Sequence, residues 1–263
     1  MALSGITPII LTFDEEENIG RALESLREFP HVVVVDSRSA DDTERIAGTF
    51  PNVSWFVRPW TGFADQWGFA IGKTDIQTAF VLALDADMAA TPELVRELAD
   101  VAQSGVVDGG VISFEYRIRG IPLAGSLYPP QLRLLRTKQA HAGQRGHAHV
   151  LELEGEPRVV RLRSRIIHDD RKGLEAFARA QLGYSAQEAM RVLADAGSSD
   201  MKSLIRRSFP FTPQVVWLLA WFRAGGPFLG PAARRYALER LIYEAMLRWR
   251  VEDELVRRQK DVT

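Results

Sequence analysis

The segment Leu82-Ala83-Leu84-Asp85-Ala86-Asp87 sets two carboxylates one residue apart at the end of an apolar run. Side chains alternate across a strand, so Asp85 and Asp87 can point the same way as the chain leaves a sheet. Paired hard oxygen ligands suit Mg2+ or Mn2+, cations that keep further positions for substrate phosphates. A plainer role, capping a helix after the strand, is open to the same two residues. Asp14 and Asp36 also follow apolar runs and belong to the same set of strand-end acids.

The elements that must position these acids are readable. Residues 5–13 are β-branched and apolar, and a helix follows with Ile19, Ala22, Leu23 and Leu26 on one face. His31–Val35 is a continuous valine run of the kind buried on both faces of a parallel sheet. Ser39 to Asp42 predicts a capped helix over Thr43–Phe50. A third strand falls at Val53–Val57, a helix at 64–72 and a fourth strand at Phe80–Leu84. Thr91 caps and Pro92 starts a helix over 92–103. Alternation of this kind predicts a mostly parallel sheet with helices on both faces, and its sites lie at the carboxyl ends of strands. Beyond residue 110 the pattern loosens. Val111–Ile118 and Val159–Ile167 read as strands, 120–130 as a Gly/Pro-rich loop and Gln131–Arg136 as short and basic. Residues 173–195 and 232–258 read as helices.

Composition narrows the class. With 46% hydrophobic and 25% charged residues in 263, the chain can bury a sizeable core. No cysteine is present, which excludes a disulfide framework and cysteine-ligated zinc. The N-terminus fails as a signal peptide, and no apolar stretch is long enough to span a membrane. The expected address is therefore the cytoplasm or the inner face of the cell membrane. Residues 1–110 hold 7 Lys/Arg against 18 Asp/Glu, whereas 111–263 hold 26 against 16. An acidic half fits a metal site and a basic half fits phosphate-bearing partners, although scattered surface charge accounts for the counts equally well. No nucleic-acid recognition motif is present.

Several segments resemble family-2 glycosyltransferases in order and spacing. Leu11-Thr12-Phe13-Asp14-Glu15-Glu16-Glu17-Asn18-Ile19 is similar to their P-T-Y-N-E-E-E-N-I opening. Val35-Asp36-Ser37-Arg38-Ser39-Ala40-Asp41-Asp42-Thr43 is similar to V-D-D/S-G-S-T-D-D-T. Pro59 to Gln66 followed by Leu84-Asp85-Ala86-Asp87 resembles the bacterial lipopolysaccharide-core glucosyltransferase branch. The likeness covers residues 5–100 and continues weakly through Gln131–Arg136 and Ile167-His168.

The resemblance implies a GT-A-like α/β domain over residues 1–172 and a helical, membrane-surface extension over 173–263. It implies transfer of a hexosyl unit, inverting and dependent on Mg2+ or Mn2+, from a nucleotide-diphosphate sugar such as a UDP-sugar. The acceptor would be a lipid-linked glycan or a lipid phosphate. Thr12, Phe13 and Glu15 would line the base pocket, and Asp36 would accept a hydrogen bond from base or ribose. Gln66 would contact the donor. Asp85 would touch ribose or metal, Asp87 would hold the metal, and His168 would approach metal or diphosphate. A core role for Phe13 and a structural role for His168 fit the sequence as well.

The chain also departs from the family. Trp67 and Gly68 stand where Lys and Asn are frequent. Tyr128-Pro129-Pro130 stands where an acidic general base usually precedes Gln-x-Arg, and a proline cannot accept a proton. The expected His-Glu pair reads Gly146-His147-Ala148-His149, so His147 or His149 becomes the candidate base. An acceptor that needs no base is a further option, since a phosphate is already an anion. Other readings of the chain are a catalytically weak nucleotide-sugar-binding or scaffold protein and a nucleotidyltransferase. Finally, Phe209 to Phe222 sets aromatic and apolar residues between Arg206-Arg207 and Arg223, a pattern expected on an anionic membrane surface or in a buried helical hairpin.

Overall fold

A computed structural model describes residues 2–145, 148–194 and 201–261. The chain forms two compact units, one of residues 1–120 with 128–171 and one of residues 121–127 with 172–263.

The first unit begins β1 (Ile6–Thr12), α1 (Ile19–Glu24), β2 (Val32–Asp36), α2 (Thr43–Ala47), β3 (Val53–Val57) and α3 (Phe63–Lys73). It continues β4 (Phe80–Asp85), β5 (Met88–Ala90), α4 (Pro92–Ser104) and β6 (Gly109–Ile118). After the two-residue β7 (Ile121–Pro122), which belongs to the second unit, come β8 (Gln131–Arg136), β9 (Ala140–Arg145), β10 (Ala148–Leu153) and β11 (Val159–His168). The main sheet runs β3-β2-β1-β4-β8-β6-β11-β5. Four of its seven pairings are parallel; β8 enters antiparallel between β4 and β6, and β5 pairs antiparallel with β11.

The valine run of β2 is buried throughout, as a strand covered on both faces must be. Alternate side chains divide between two cores. Ile6, Ile10, Val32, Val34, Leu82 and Leu84 pack with α1, α2 and α4, while Ile9, Val33, Val35, Val81 and Ala83 pack with α3. The second face is completed by the β9–β10 hairpin through Ala140, Ala142, Leu151 and Leu153. Trp67, which stands where the resemblance implies a polar residue, is fully buried in that layer.

Thr91 caps α4 as its sequence predicts, accepting a hydrogen bond from the Leu94 N–H at 3.1 Å. The cap of α2 differs from expectation. The Asp42 side chain turns outward to pair with Arg45, and Asp41 takes the Thr43 N–H at 3.0 Å.

Gly109 and Gly110 open β6 in the tightest part of the sheet. A Cβ on Gly109 would lie 2.7 Å from Leu153 Cδ1 and 3.0 Å from the Leu134 carbonyl oxygen, which cannot move without breaking the β6–β8 ladder. Gly109→Ala should therefore lower stability by about 1–3 kcal/mol through overpacking. Urea denaturation reads this directly, and an unchanged midpoint would show that the hairpin yields freely.

The second unit is helical: α5 (Leu174–Ala194), α6 (Met201–Ser208), α7 (Thr212–Arg223) and α8 (Gly230–Asp261). The sequence pattern anticipates α5 and α8; α6 and the regular course of α7 emerge only in the structure. Val192 of α5 packs with Leu247 and Val251 of α8. Arg206 of α6 joins Glu188 of α5 to Glu244 of α8, both in ion pairs. Residues 121–127, read from sequence as part of the first domain's loop, are instead tied into the helices. Leu127 N–H donates to the Tyr236 hydroxyl at 2.7 Å, and Arg223 Nε donates to the Ser126 carbonyl at 2.7 Å. Among the described residues no helix is long and apolar enough to cross a membrane.

Candidate active site

The parallel pairings of β1 align the candidate acids on the carboxyl edge of the sheet. Thr12 is in register with Asp36 of β2, and Leu11 with Asp85 of β4. Adjacent strands stand about 4.8 Å apart, so three strand ends bring their polar groups onto one ledge.

At the far end of that ledge the chain turns through Asp87 into β5, where Met88 pairs with His168 at the end of β11. This short antiparallel pairing puts His168 Nε2 at 2.9 Å from Asp87 Oδ2. The imidazole is buried among Tyr116, Tyr128 and Phe114, with ring centroids 4.7, 5.1 and 6.2 Å away. Burial opposes its positive charge, but the Asp87 carboxylate outweighs burial and raises the pKa above the ordinary histidine value. Its Nδ1 is buried without a hydrogen-bond partner.

Asp85 is held from the other side. Arg133, a buried residue of β8, donates from Nη2 to Asp85 Oδ2 at 3.1 Å and to Gln131 Oε1 at 2.7 Å. Its guanidinium lies over the Phe114 ring at 5.6 Å. Burial works against this charge too, and Asp85 more than restores it. Tyr128 occupies the place of the missing acidic base. Burial and then the Asp85 charge push its phenol pKa upward, so at neutral pH it keeps its proton.

The residues after β1 and β2 are arranged differently. Two loops, 13–18 after β1 and 37–42 after β2, are stitched together. Asp14 N–H donates to Ser39 Oγ at 2.8 Å, Ala40 N–H to Asp14 Oδ1 at 2.9 Å, and Glu15 N–H to Thr43 Oγ1 at 2.8 Å. Asp36 is buried and accepts from Ser39 N–H at 2.8 Å and Ser39 Oγ at 2.5 Å, so it shapes this loop. Phe13 is 51% exposed, which removes it from the core. Thr12 is buried, with its hydroxyl oxygen unbonded. Glu15 is half-buried and accepts from Asn18 Nδ2 at 2.8 Å. Gln66 is fully buried and braces the ledge from α3, donating to Ser37 Oγ at 2.8 Å and to the Arg58 carbonyl at 3.1 Å.

Thus Asp87 pairs with His168 and Asp85 with Arg133, Thr12 and Asp36 sit beside each other on the same edge, and Gln66 supports them from within. His147 lies outside the described residues, as does the side chain of His149. The sequence does not reveal the roles of Arg133 and Tyr128 beyond their place around the Gln-x-Arg segment. Nor does it reveal a network behind His168 formed by Asn18, Arg21, Asp169 and Arg171; Asn18 lies in the acidic opening segment, but nothing in the sequence marks the others.

Among the described residues no three His, Asp or Glu side chains converge to hold a metal ion by themselves. The donor types present nevertheless fit a hard divalent cation shared with substrate phosphates. The Asp87 carboxylate adjoins an imidazole whose second nitrogen is buried and unsatisfied, and Asp85 stands two residues before it at the end of β4.

Comparison with known proteins agrees with this geometry. The family model described as Glycosyl transferase family 2 matches residues 7–151. The lipopolysaccharide core biosynthesis glycosyltransferase LpsC of Rhizobium meliloti is 26% identical over 235 residues, 84% of this chain and 82% of that protein. An uncharacterized glycosyltransferase of Rickettsia typhi is 38% identical over 96 residues, 36% of this chain, and the match spans only 30% of that protein's length. The crystal structure of S. aureus TarS 1–349 in complex with UDP-GlcNAc superposes with a TM-score of 0.50 at 16% identity, covering 95% of this chain and 91% of that one. At that identity the likeness establishes the fold, a GT-A-like α/β sheet followed by helices. With more than half of its residues matched by the family model, the chain belongs to glycosyltransferase family 2.

Proposed function

We propose that this glycosyltransferase moves a hexosyl unit from a UDP-sugar to a lipid-linked glycan or a lipid phosphate during cell-envelope polysaccharide synthesis. The observation that carries this reading is the single ledge bearing Asp36, Asp85–Arg133 and Asp87–His168 at the carboxyl ends of β2, β4 and β11. The name of LpsC and the nucleotide sugar in the TarS crystal supply the substrate class. Phe13, exposed at the β1 end, would stack on the base beside Thr12, with Glu15 and Asp36 shaping the loop around the ribose. Asp87 and Asp85 would hold Mg2+ or Mn2+, with His168 at its margin; the cation supplies neutralisation of charge on the departing diphosphate. Arg133 adds a fixed guanidinium charge next to Asp85, and the His168 imidazole lies against Asp87. Calorimetry of UDP with Mn2+ and with chelator tests the reading, together with release of sugar to water from UDP-sugars. Protein that binds UDP equally well in chelator loses the metal, and protein that binds but never releases sugar is a scaffold.

The state of Tyr128 bears on the acceptor. A group that keeps its proton at neutral pH cannot activate a sugar hydroxyl, whereas a phosphate needs no activation. Tyr128→Phe preserves the edge-on packing against Phe114, whose ring centroid is 4.9 Å away. It should lower turnover by less than about tenfold, because general-base removal costs about 10²–10⁴-fold. A loss in that upper range would identify the phenol as the base and favour a hydroxyl acceptor.

The second unit supplies a surface for the membrane part of this reading. Phe211, Val215, Leu218, Leu219 and Phe222 follow helical spacing along one side of α7 and are each 43–61% exposed. Phe228 is 94% exposed just beyond. Arg207 and Arg223 flank them, and residues 121–127 with 172–263 hold 15 Lys/Arg against 10 Asp/Glu. An apolar face bordered by arginines suits shallow seating among anionic headgroups, each nearby cation adding about 1 kcal/mol. The protein should float with phosphatidylglycerol vesicles at low salt and release as salt rises, while Leu218→Glu stays in solution. Equal flotation of that variant would move the contact away from α7.

A further inference from the structure

We propose that Asp169 is a positioning residue of the transfer reaction, setting the placement of Asp87 and His168; this rests on the donor-site reading above. Asp169 directly follows His168 and is 1% exposed. Its carboxylate is fully occupied. Oδ2 accepts from Arg21 Nη1 at 3.1 Å and Arg171 Nε at 2.9 Å, and Oδ1 accepts from the Gly120 N–H at 3.1 Å. Its backbone is fixed at both ends. The N–H donates to the Asp87 carbonyl at 3.1 Å, and the carbonyl accepts from Arg21 Nη2 at 2.8 Å.

The same network reaches the nucleotide side. Asn18, also 1% exposed, accepts at Oδ1 from Arg21 Nη2 at 2.6 Å and from the Arg171 N–H at 3.0 Å. Its Nδ2 donates to Glu15 Oε2 at 2.8 Å and to Asp170 Oδ1 at 2.9 Å. Asn18 thus ties the loop after β1 to the segment after β11, and Asp169 ties that segment to the turn carrying Asp87.

Two arginines facing one buried carboxylate make the charge of Asp169 indispensable to the arrangement. Its amide analogue would turn an N–H₂ group or a bare carbonyl toward two guanidinium groups, and the segment holding His168 would shift. The position of Asp87 depends on that segment through one backbone bond and one side-chain bond. The nucleoside loop has further holds of its own in the bonds to Ser39 and Thr43. Loss of Asp169 should therefore harm the diphosphate end selectively.

The test compares UMP affinity, UDP affinity with Mn2+, and turnover in Asp169→Asn and the unaltered protein. Loss of a residue that orients metal-binding side chains costs about 10- to 100-fold, and turnover and the UDP-over-UMP affinity ratio should fall by that amount. UMP affinity should stay within about twofold, the level expected when no contact to the nucleoside is touched. Unchanged turnover overturns the role, and so does a parallel fall of UMP affinity with turnover, which marks a general loss of structure. Should Asp169→Asn fail to fold, Arg171→Ala replaces it, since that side chain is 40% exposed. A several-fold fall in turnover with UMP affinity intact supports the role there, and unaltered turnover overturns it. Unaltered protein that binds neither nucleotide would overturn the donor reading itself.

Discussion

Asp87→Ala should abolish metal-dependent UDP binding and lower kcat/KM by about 10²–10³-fold, the loss expected when one preorganised electrostatic group of a transition state is removed. Asp87 sits in the turn between β4 and β5, outside the main hydrogen-bond ladder, so its removal should leave the sheet folded. Its loss deprives His168 of the charge that raises the imidazole pKa and removes the carboxylate proposed to bind the cation. Calorimetry of UDP with Mn2+, alongside a thermal melt, separates the two effects. A folded variant with unchanged metal-dependent affinity would take the metal away from this turn.

Arg133→Ala should be the most damaging change for stability and catalysis together. Removing one partner of a fully buried ion pair costs about 3–5 kcal/mol, but the Asp85 side chain is 35% exposed and water can partly solvate it. The expected loss is therefore about 2–3 kcal/mol, including the emptied space over Phe114. Arg133→Met refills that space without the charge. It should recover the packing part of the stability while donor turnover stays low, and chemical denaturation with donor-hydrolysis assays would show the split. If Arg133→Met regains turnover as well, the guanidinium serves packing only.

The parts of the fold that follow simple periodicity are legible in the chain. The valine run of β2 announces a strand covered on both faces, and Thr91-Pro92 announces the start of α4, because burial and capping there depend on neighbours in sequence. The β9–β10 hairpin is not legible. Its inward residues include Ala140 and Ala142, small side chains with weak alternation, and its role as a lid on the second core depends on α3 far away. Arg133 looks like ordinary basic surface in Gln131–Arg136, since only three dimensions bring Asp85 and Phe114 to it. The Asp87–His168 contact is beyond periodicity for another reason. It is made by β5, a strand of three residues that no sequence window detects. Family resemblance singles out both residues; the pairing of Met88 with His168 explains why they meet.

The position of β8 has a consequence for how this protein is made. Strands β1 to β4 find their partners among one another, so residues 6–85 can assemble half of the sheet while the rest is still being synthesised. That half ends at an open edge, β4, whose partner arrives only when Phe80 meets Arg136. The stretch between them must also lay down β6, on the far side of β8. Closure of this seam is a second long-range step of folding, after Ile6 has met Phe80. Until it closes, an apolar strand edge stands exposed to other chains, so nascent or truncated forms ending before residue 131 should aggregate where the whole chain stays dispersed.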